Sequence, residues 1–591
     1  MSRKIVALAL SVVMLFTMAL ALGEGKTVTG RGESGIGGKD SVVLDVSFDA
    51  QGKILEVKLV ESKETPGIAD AAFERLLPEI VASQSIKVDV VGGASMTSQA
   101  IIKAMEDAIT QAGFDPANYQ EKAEVVVEKA ADEELSADVV VIGAGGAGMA
   151  AAVQAHQNGA TVLVIEKMPK VGGNTILAGG ALNAVDDRSE MAIRQNDSVE
   201  WHYTQTYEGG DKQGYPDLIH TLVSNVWDGV EWLKGMGMEF NAEPFTVLGG
   251  LWPRAWKPSM PVGTGFFKTY MDYVEANKGI EVRLNTKAEE FITDETGRVV
   301  GVKCTGETGN TVTAMAAKGV VCAMGGFSRN VELRQAYNIQ WATLDASIPS
   351  TNHPGATGDA IKMLMKLGAD LIQMGNLQLL PLGDPETGSL SGAIEHGVES
   401  RIFVNAEGKR FVNEGGRRDE MTHALFAQPG AFLWVIMDSD TYPTGDIKNN
   451  FNESIDSLIA AGRAFKGETL EELCAQIDVP VENLKAALEE YNKHCLSKEP
   501  DAFGRTLYGT PIDNGPFYAG KRVPTMHHTM GGVRINTKTQ VLSELGQPIP
   551  GLYAAGEVTG GIHGTNRLGG NALADILVFG RIAGTEAAKG E

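Results

Sequence analysis

The stretch Ala137-Asp-Val-Val-Val-Ile-Gly-Ala-Gly-Gly-Ala-Gly148 decides how most of this chain folds. Its apolar half predicts a buried β-strand, and residues 149–158 predict a helix that continues directly from the glycines. A second apolar run at 161–165 ends at the acidic Glu166. Strand, glycine-rich turn, helix, strand and acid in this order form the βαβ fingerprint of a dinucleotide-binding site. We therefore predict an α/β domain that binds a dinucleotide.

Five residues of this segment are predicted to contact the dinucleotide, namely Gly143, Gly145, Ala147, Gly148 and Glu166. The first glycine of the motif allows the tight turn, the second lets the backbone approach a pyrophosphate, and the last lets the helix pack on the strand. The helix N-terminus stabilises the phosphate charge, and the acid accepts hydrogen bonds from the ribose. The fingerprint alone does not choose between NAD and FAD.

The composition indicates a globular protein of several domains. The chain has 591 residues, of which 43% are hydrophobic and 21% are charged. Its formal net charge of −24 makes broad nucleic-acid binding unfavourable. The cysteines form no C-x-x-C pair, which excludes zinc ribbons, thioredoxin-like sites and an attached c-type haem. We expect no metal site, and we expect buried thiols at Cys304, Cys322, Cys474 and Cys495.

The N-terminus predicts export from the cytoplasm. Arg3 and Lys4 precede an apolar run at 5–22, which has small residues near its end. This is the pattern of a secretory signal peptide, which we assign to residues 1–25. The run is also long enough for an uncleaved membrane anchor, and that alternative stays open. We expect the folded part of the protein to be soluble and extracytoplasmic, in the periplasm or at the cell surface.

Two folded bodies are expected after the signal. Residues 26–115 predict a small α+β domain. Its predicted strands and helices are 41–48, 54–60, 70–82 and 98–112. Residues 116–136, rich in Glu, Lys and Ala, predict a linker or a solvated helix. The larger body begins at about Ala137.

Motifs downstream of the fingerprint resemble the flavoprotein subunits of fumarate reductase and succinate dehydrogenase. They are Gly172-Gly-Asn-Thr175, Ala178-Gly-Gly180, Gly551-Leu-Tyr-Ala-Ala-Gly-Glu557 and Asn566-Arg-Leu-Gly-Gly-Asn-Ala-Leu573. The resemblance covers residues 137–591 and implies that the dinucleotide is FAD, bound non-covalently. The FAD contacts that it implies are Asn174, Thr175, Gly179, Gly180, Asp359, His528, Glu557, Ala572 and Leu573.

The same resemblance implies the fold of the larger body. Residues 137–375 and 526–591 would form an α/β, Rossmann-like FAD-binding domain. Residues 376–525 would form an inserted α+β capping domain that moves to close over the flavin. The small N-terminal α+β domain completes the predicted architecture.

Three basic motifs resemble the substrate-binding motifs of that family. They are Asn413-Glu-Gly-Gly-Arg-Arg-Asp419, Thr525-Met-His-His-Thr-Met-Gly-Gly532 and His563-Gly-Thr-Asn-Arg-Leu-Gly-Gly570. The resemblance implies that His527, Arg567 and Gly570 bind a substrate carboxylate. It implies that Arg418 donates a proton. Reduction of an activated C=C bond needs a hydride at one carbon and a proton at the other, and fixed cations stabilise the negative charge that develops.

One departure from the family predicts the substrate class. The family's Q-x-H-P segment reads Gln378-Leu-Leu-Pro381, so Leu380 stands where a histidine binds the second carboxylate of fumarate. An apolar side chain cannot offset the desolvation of a charge, so we expect a monocarboxylic enoate. The pattern is closest to that of urocanate reductases, with Glu395 placed to bind an imidazole N–H. Glu395, His396 and Arg401 are candidates for a proton relay to the catalytic arginine.

Several alternatives to urocanate remain at this stage. Cinnamate-like acids and short acrylates fit the same single-carboxylate pattern. Fumarate reduction, and oxidation by a succinate- or ketosteroid-type dehydrogenase, are rival enzyme activities. A non-catalytic electron carrier is the rival outside enzymology.

The small domain resembles the FMN-binding domain of related reductases and of sodium-pumping quinone reductases. The segments that carry the resemblance are Glu64-Thr-Pro-Gly67 and Asp89-Val-Val-Gly-Gly-Ala-Ser-Met-Thr97. The resemblance implies that a flavin transferase attaches FMN covalently, through its phosphate, to Thr97. Gly92 replaces the usual Ser or Thr, and we expect the glycines to expose the threonine hydroxyl. The FMN would accept electrons from a quinol-linked membrane donor or an extracellular donor and pass them to FAD.

Overall fold

The computed structural model describes residues 26–34, 37–64, 69–91, 94–121 and 129–590. Within these residues the chain forms two compact units, divided between residues 127 and 128. The predicted signal peptide lies outside the described residues, as do residues 65–67 and 92–93 of the predicted FMN motifs. No helix in the described ranges is long and apolar enough to cross a membrane.

The small unit is a three-stranded antiparallel sheet with two helices. The strands are β1 (Lys26–Ser34), β2 (Gly38–Phe48) and β3 (Ile54–Ser62), and the helices are α1 (Asp70–Ser83) and α2 (Ser95–Ala112). Helix α2 crosses β1 so closely that a Cβ at Gly32 would lie 1.9 Å from the Ala100 carbonyl oxygen. The sequence prediction missed β1, since its glycines and polar residues hide the alternation typical of a strand.

The segment between the units differs from the prediction at both ends. Pro116–Tyr119 forms a 3₁₀ turn whose tyrosine is buried in the small unit. Strand β4 (Glu133–Ile142) begins four residues before the predicted Ala137. Its first residues are polar because that end is only partly covered, so the apolar pattern starts late. The predicted linker at 116–136 is therefore too long, and its residues 122–128 lie outside the described part of the chain.

The large unit is a mixed α/β domain with a second domain inserted into it. Its strands are β4, β5 (Val162–Ile165), β6 (Leu182–Asn183), β7 (Ala255–Trp256), β8 (Ile280–Arg283), β9 (Lys287–Thr293), β10 (Val299–Thr305), β11 (Thr311–Cys322), β12 (Leu371–Ile372), β13 (Leu377–Gly383), β14 (Ile402–Val404), β15 (Leu433–Asp438), β16 (Phe465–Gly467), β17 (Phe517–Thr529), β18 (Gly532–Arg534), β19 (Gln540–Leu542), β20 (Pro548–Ala554) and β21 (Thr559–Gly560). Its helices are α3 (Gly146–Gln157), α4 (Gly173–Leu177), α5 (Glu190–Gln195), α6 (Val199–Gly209), α7 (Pro216–Gly235), α8 (Thr264–Ala276), α9 (Val331–Tyr337), α10 (Asp359–Lys366), α11 (Arg418–Phe426), α12 (Ile455–Ala460), α13 (Leu470–Ile477), α14 (Val481–Ser497) and α15 (Asn571–Lys589). All four cysteines of the chain lie here, buried and unpaired as predicted.

The central sheet carries the predicted fingerprint. Its strand order is β19-β20-β11-β4-β5-β8, with β10 and β9 as an antiparallel extension from β11. The strands from β20 to β8 in this order pair in parallel. The C-terminal helix α15 packs so closely on α3 that a Cβ at Gly584 would lie 2.2 Å from the Ala151 carbonyl oxygen. Both ends of the large unit therefore meet at the dinucleotide motif.

The inserted domain is built on an antiparallel sheet. Its strand order is β13-β17-β15-β14, and β16 also pairs with β17. The 13-residue strand β17 runs through the predicted domain boundary after residue 525 and carries His527 and His528 at its end. The predicted fold class is confirmed: a Rossmann-like α/β domain with an inserted α+β domain, and a small α+β domain before it.

Gly148→Ala is expected to lower the thermal unfolding midpoint of the flavin-free protein by several degrees. The new Cβ would lie 1.8 Å from the Gly143 carbonyl oxygen, so α3 would have to move away from β4. Gly145→Ala is the matched control, since its Cβ would meet nothing within 4 Å. Scanning fluorimetry measures both variants, and a wild-type midpoint for Gly148→Ala would contradict the described packing.

Candidate active site

Two adjoining cavities run through the large unit. The first has a volume of about 110 Å³ and lies at the carboxyl ends of β4 and β5. The second, of about 210 Å³, extends towards the capping domain. Asn174, Thr175 and Glu557 line both cavities, so the two form one elongated site.

The cavities bring together all the predicted site residues of the large unit except Gly148 and Asp359. Those in the first cavity are Gly143, Gly145, Ala147 and Glu166. Those in the second are Gly179, Gly180, Leu380, Glu395, Arg418, His527, His528, Arg567, Gly570, Ala572 and Leu573. Residues from widely separated parts of the sequence thus meet in one place.

The first cavity fits the adenosine diphosphate half of FAD. Helix α3 begins at its wall, where Gly146 N donates to Thr175 Oγ1 at 3.3 Å, and a Cβ at Gly145 would point into open space. A phosphate can therefore approach the N–H groups of the first helical turn. Glu166 accepts hydrogen bonds from Ala144 N at 2.7 Å and Met168 N at 2.8 Å, while burial raises the pKa of its carboxyl. These bonds hold the carboxylate in position for a ribose.

Two predicted cofactor residues lie behind the cavity wall. Gly148 packs against the Gly143 carbonyl, so its role is in helix packing. Asp359 accepts a hydrogen bond from Lys167 Nζ at 2.7 Å, and it is Lys167 that lines the cavity. The sequence prediction missed Lys167, although its position directly after Glu166 was a usable signal.

The region shared by both cavities fits the flavin half of FAD. Glu557 accepts hydrogen bonds from Thr529 N at 3.0 Å and from Asn174 Nδ2 at 2.9 Å. Helix α15 begins after Gly570, which has a φ of +88° and whose Cβ would lie 2.2 Å from Asn183 Oδ1. Only glycine fits there, and it leaves backbone open to the cavity beside a fixed carboxylate. Such groups can hold the ribityl chain and the ring of a flavin.

Two buried arginines face the second cavity beside His527. Arg418 donates to Leu248 O at 3.0 Å and to Gln378 Oε1 at 3.2 Å. Arg567 donates one hydrogen bond to a neighbouring carbonyl, and its Nε has no partner among the described residues. In the described structure neither guanidinium forms an ion pair with a carboxylate. Such an arrangement can bind an anion.

Gln378 connects the two arginines. Its Oε1 accepts the bond from Arg418, and its Nε2 donates to the Arg567 carbonyl at 2.8 Å and to Asn566 Oδ1 at 3.0 Å. The register of β13 and β17 sets Gln378 opposite His528. One buried amide therefore fixes both guanidinium-bearing segments and the histidine strand. The sequence prediction used Gln378 only to locate the following motif position and missed this role.

Burial determines the protonation of these groups. It lowers the pKa of Arg418 well below its usual value, and the charge of Arg567 adds to the effect. Burial, followed by both arginines, lowers the pKa of His527, which is neutral at pH 7 and shares a 2.8 Å hydrogen bond with Thr351 Oγ1. Burial lowers the pKa of Arg567 to about 10, so this side chain stays charged. The cavity combines an anion-binding guanidinium with a second one of raised acidity, as a proton donor requires.

The residues that line the second cavity include apolar side chains, among them Leu380, and the polar residues Glu395, His396 and Arg401. Arg401 Nη1 lies 3.5 Å from Glu395 Oε1, while Glu395 Oε2 has no hydrogen-bond partner within the described ranges. None of the three polar residues donates to or accepts from Arg418 in the described contacts. The direct contacts of Arg418 are a carbonyl and an amide, so a proton relay through Glu395, His396 or Arg401 stays a prediction.

An ion pair joins the capping domain to the FAD-binding domain beside the predicted proton donor. Arg417 donates to both oxygens of Asp211, at 2.7 and 3.0 Å. Thr565 Oγ1 also donates to Asp211. Asp211 therefore holds the segment of Arg418 against the segment of Arg567 through a bidentate pair.

Thr97 in the small unit is buried, so the expectation of an exposed hydroxyl is wrong. The residue is 1% exposed, and its Oγ1 donates to Glu64 Oε2 at 2.7 Å. Glu64 is also buried and accepts a second bond from Ser34. The partner lies 33 residues earlier in the sequence, a contact that local motifs do not encode.

The holoprotein is expected to lose stability in acid. Burial lowers the pKa of His202, His396, His527, His528 and His563, in the case of His202 to about 3. Unfolded histidines bind a proton near pH 6.5, so unfolding takes up protons below that pH, and stability falls as the pH drops from about 6.5 towards 3. For His202 alone the loss at pH 5 is about 2 kcal/mol. Thermal midpoints at pH 7.5 and pH 5 measure the effect.

His202→Gln tests this cause, because the amide nitrogen of glutamine lies at about the position of the imidazole Nε2 and can keep the hydrogen bond to Asn571 but does not titrate. This variant should lose less of its thermal midpoint between pH 7.5 and pH 5 than wild type. His220→Gln, at an exposed position, is the control and should change nothing. An unaltered pH dependence in His202→Gln would show that this histidine is not responsible.

Comparisons with known proteins agree with the geometry. The FAD binding domain family matches residues 138–573, and the FMN-binding domain family matches residues 35–110. The chain is 36% identical to a urocanate reductase of Eggerthella lenta, across 97% of this chain and 94% of that protein. It is 35% identical to an NADH:acrylate oxidoreductase of Vibrio harveyi, across 95% of this chain but 61% of that longer protein.

Among solved structures, the open conformation of a flavocytochrome c3 fumarate reductase is similar with a TM-score of 0.62 and 33% identity. The match covers 80% of this chain and 83% of that one. Both the sequence and the fold of the large unit are thus shared with reductases of C=C bonds. The chain belongs to the fumarate reductase/succinate dehydrogenase flavoprotein family and is a flavin-dependent oxidoreductase with an N-terminal FMN-binding domain.

Proposed function

We propose that the protein reduces the C=C bond of an α,β-unsaturated monocarboxylate of the urocanate type. The observation that carries the proposal is the grouping of Arg418, His527 and Arg567 around one cavity without a paired carboxylate. A substrate carboxylate would supply the missing negative charge in a buried place where an unpaired charge is costly. The relatives named as urocanate reductase and NADH:acrylate oxidoreductase support this reaction class.

In the proposed mechanism Arg567 and His527 hold the substrate carboxylate. The free Nε of Arg567 and the neutral imidazole of His527 are donors for its oxygens. When bound, reduced FAD supplies the hydride for one carbon of the double bond. Negative charge that spreads onto the carboxylate is stabilised by these fixed donors.

Arg418 donates the proton to the neighbouring carbon in this proposal. Its contacts with Leu248 O and Gln378 Oε1 fix the guanidinium plane, and burial raises its acidity. The bidentate pair of Arg417 with Asp211 keeps the capping domain closed over the reaction and excludes water. The group that returns the proton to Arg418 lies beyond its direct contacts.

The tail of the substrate is proposed to carry an N–H donor. Glu395 Oε2 is a buried acceptor without a partner among the described residues, and an imidazole N–H would satisfy it. A second carboxylate would instead meet Leu380 and the negative charge of Glu395, whose neighbour Arg401 is already paired. The far end of the cavity therefore favours urocanate over fumarate.

A substrate panel tests the proposal. With reduced viologen as donor, kcat/KM for urocanate should exceed that for cinnamate or acrylate. The kcat/KM for fumarate should be at least about 100-fold lower than that for urocanate, because the second carboxylate of fumarate would be desolvated without a partner. Glu395→Gln should reduce activity with urocanate and spare acrylate, which has no N–H to lose. A strong preference of the wild type for fumarate would overturn the assignment, and oxidation of a saturated acid without enoate reduction would favour the dehydrogenase.

Leu380→His should shift the preference towards fumarate. The new imidazole would place a donor where the second carboxylate lies in the proposed binding mode. We expect the ratio of kcat/KM for fumarate to kcat/KM for urocanate to rise by about tenfold or more. This is the change that the free energy of one hydrogen bond to a charged group produces. Leu382→His, in the same cavity wall, is the control for a general change in polarity. Equal ratios in wild type and Leu380→His would contradict the role of this position.

Arg418→Lys should lower kcat by about 10³-fold or more while both flavins stay bound. The shorter ammonium loses the bonds to Leu248 and Gln378 and cannot reach the same place, and general-acid catalysis contributes roughly 10²–10⁴-fold. Arg188→Lys is the matched control, since this arginine is exposed and lines neither cavity. Unchanged turnover in Arg418→Lys would remove this residue from the catalytic role.

We further propose that FMN is attached through its phosphate to Thr97 by a flavin transferase and feeds electrons from a quinol-linked or extracellular donor to FAD. The match of the FMN-binding domain family to residues 35–110 supports a bound FMN. The N-terminal pattern at 1–25 supports an extracytoplasmic location. Cell fractionation of the full chain and of a chain lacking 1–25 distinguishes export from cytoplasmic retention.

A further inference from the structure

We propose that Glu64 is the general base that takes the proton from the Thr97 hydroxyl when FMN is attached to the small unit. The inference rests on the proposed attachment at Thr97 and adds the group that activates it. The main support for this role is the 2.7 Å hydrogen bond from Thr97 Oγ1 to Glu64 Oε2. A general base must lie within hydrogen-bond reach of the proton that it removes, and this carboxylate does so before any transferase binds.

The bond of Thr97 differs from those of two other hydroxyls on helix α2, Ser98 and Thr110. Ser98 Oγ and Thr110 Oγ1 donate to the carbonyls four residues earlier, at 2.9 and 2.8 Å, which is the ordinary arrangement within a helix. Thr97 instead donates to a carboxylate on another segment. An acidic acceptor can take the proton completely, whereas a backbone carbonyl cannot.

The carboxylate of Glu64 is also oriented. Ser34 Oγ donates to its Oε1, and Gly37 N donates to Ser34 Oγ at 3.0 Å. Glu64 is 5% exposed and Thr97 is 1% exposed, so water has little access to the pair, and the transferase has to uncover the hydroxyl before it can react. With bulk water excluded, the proton of the nucleophile needs an acceptor within the protein.

The transfer step balances with FAD as the flavin donor. Thr97 Oγ1 forms a bond to the phosphorus of the FMN half, the anhydride bond of the dinucleotide breaks, and AMP leaves. The hydroxyl proton goes to Glu64. The protonated carboxyl no longer repels the new phosphodiester, and the N-terminus of helix α2, where Thr97 lies, favours the phosphate charge.

The test measures the rate at which a purified flavin transferase of this type attaches FMN to the full-length apoprotein, by intact mass and in-gel flavin fluorescence. Glu64→Gln should lower kcat for attachment by about 100-fold or more with little change in KM for the apoprotein, because the amide keeps the shape but accepts no proton. Glu64→Asp should recover part of the rate. Glu61→Gln, an exposed position at the end of β3, is the matched control and should behave as wild type.

Thr97→Val distinguishes an error in the attachment site from an error in the role of Glu64. If Thr97→Val still gains covalent FMN, the attachment site is wrong and the role of Glu64 falls with it. If Thr97→Val gains none while Glu64→Gln reacts at the wild-type rate, the attachment site stands and the inference about Glu64 is overturned. Thermal midpoints of the apoproteins exclude misfolding, and a rise in KM with unchanged kcat in Glu64→Gln would make this residue a docking contact instead of a base.

Discussion

The rest of the structure depends on one electrostatic constraint, the positive charge buried between the FAD-binding domain and the capping domain. Arg418 and Arg567 share one cavity, and the described residues give neither of them an ion-pair partner. Such charges are expensive to bury, and together with burial, which is the larger cause, they lower the pKa of His527 and His528. The arrangement is reasonable only for a site that receives an anion during its function.

The fold supplies the supports that keep these charges in place. Strand β17 crosses from the capping domain into the FAD-binding domain and carries the histidine pair, while β13 sets Gln378 beside it. Gln378 then joins Arg418 to the Arg567 segment, and Asp211 joins the same two segments from outside. Each support comes from a different part of the chain, so the site depends on contacts between the capping domain and the FAD-binding domain. Catalysis and domain closure are therefore expected to be coupled in this protein.

Part of this arrangement follows from local sequence, and part does not. The βαβ fingerprint, the glycine at the start of α15 and the three basic motifs are short patterns whose spacing encodes their geometry, and residues of each line the two cavities. Lys167, Gln378 and Asp211 escaped prediction because their roles arise from contacts between segments far apart in sequence. The burial of Thr97 has the same origin, since its partner Glu64 sits at the far edge of another motif. Helix and strand ends shifted where partial exposure hid the apolar pattern, as at Glu133.

The most direct test of the central claim is the affinity of oxidised holoprotein for a saturated monocarboxylate, imidazole propionate, followed through the flavin absorbance. Wild type should bind it, and Arg567→Gln should bind it about 100-fold more weakly, because a charge-assisted contact of up to about 3 kcal/mol is lost. Equal affinity in the two proteins would mean that the buried guanidinium does not hold the substrate carboxylate, and the account of the site would fail.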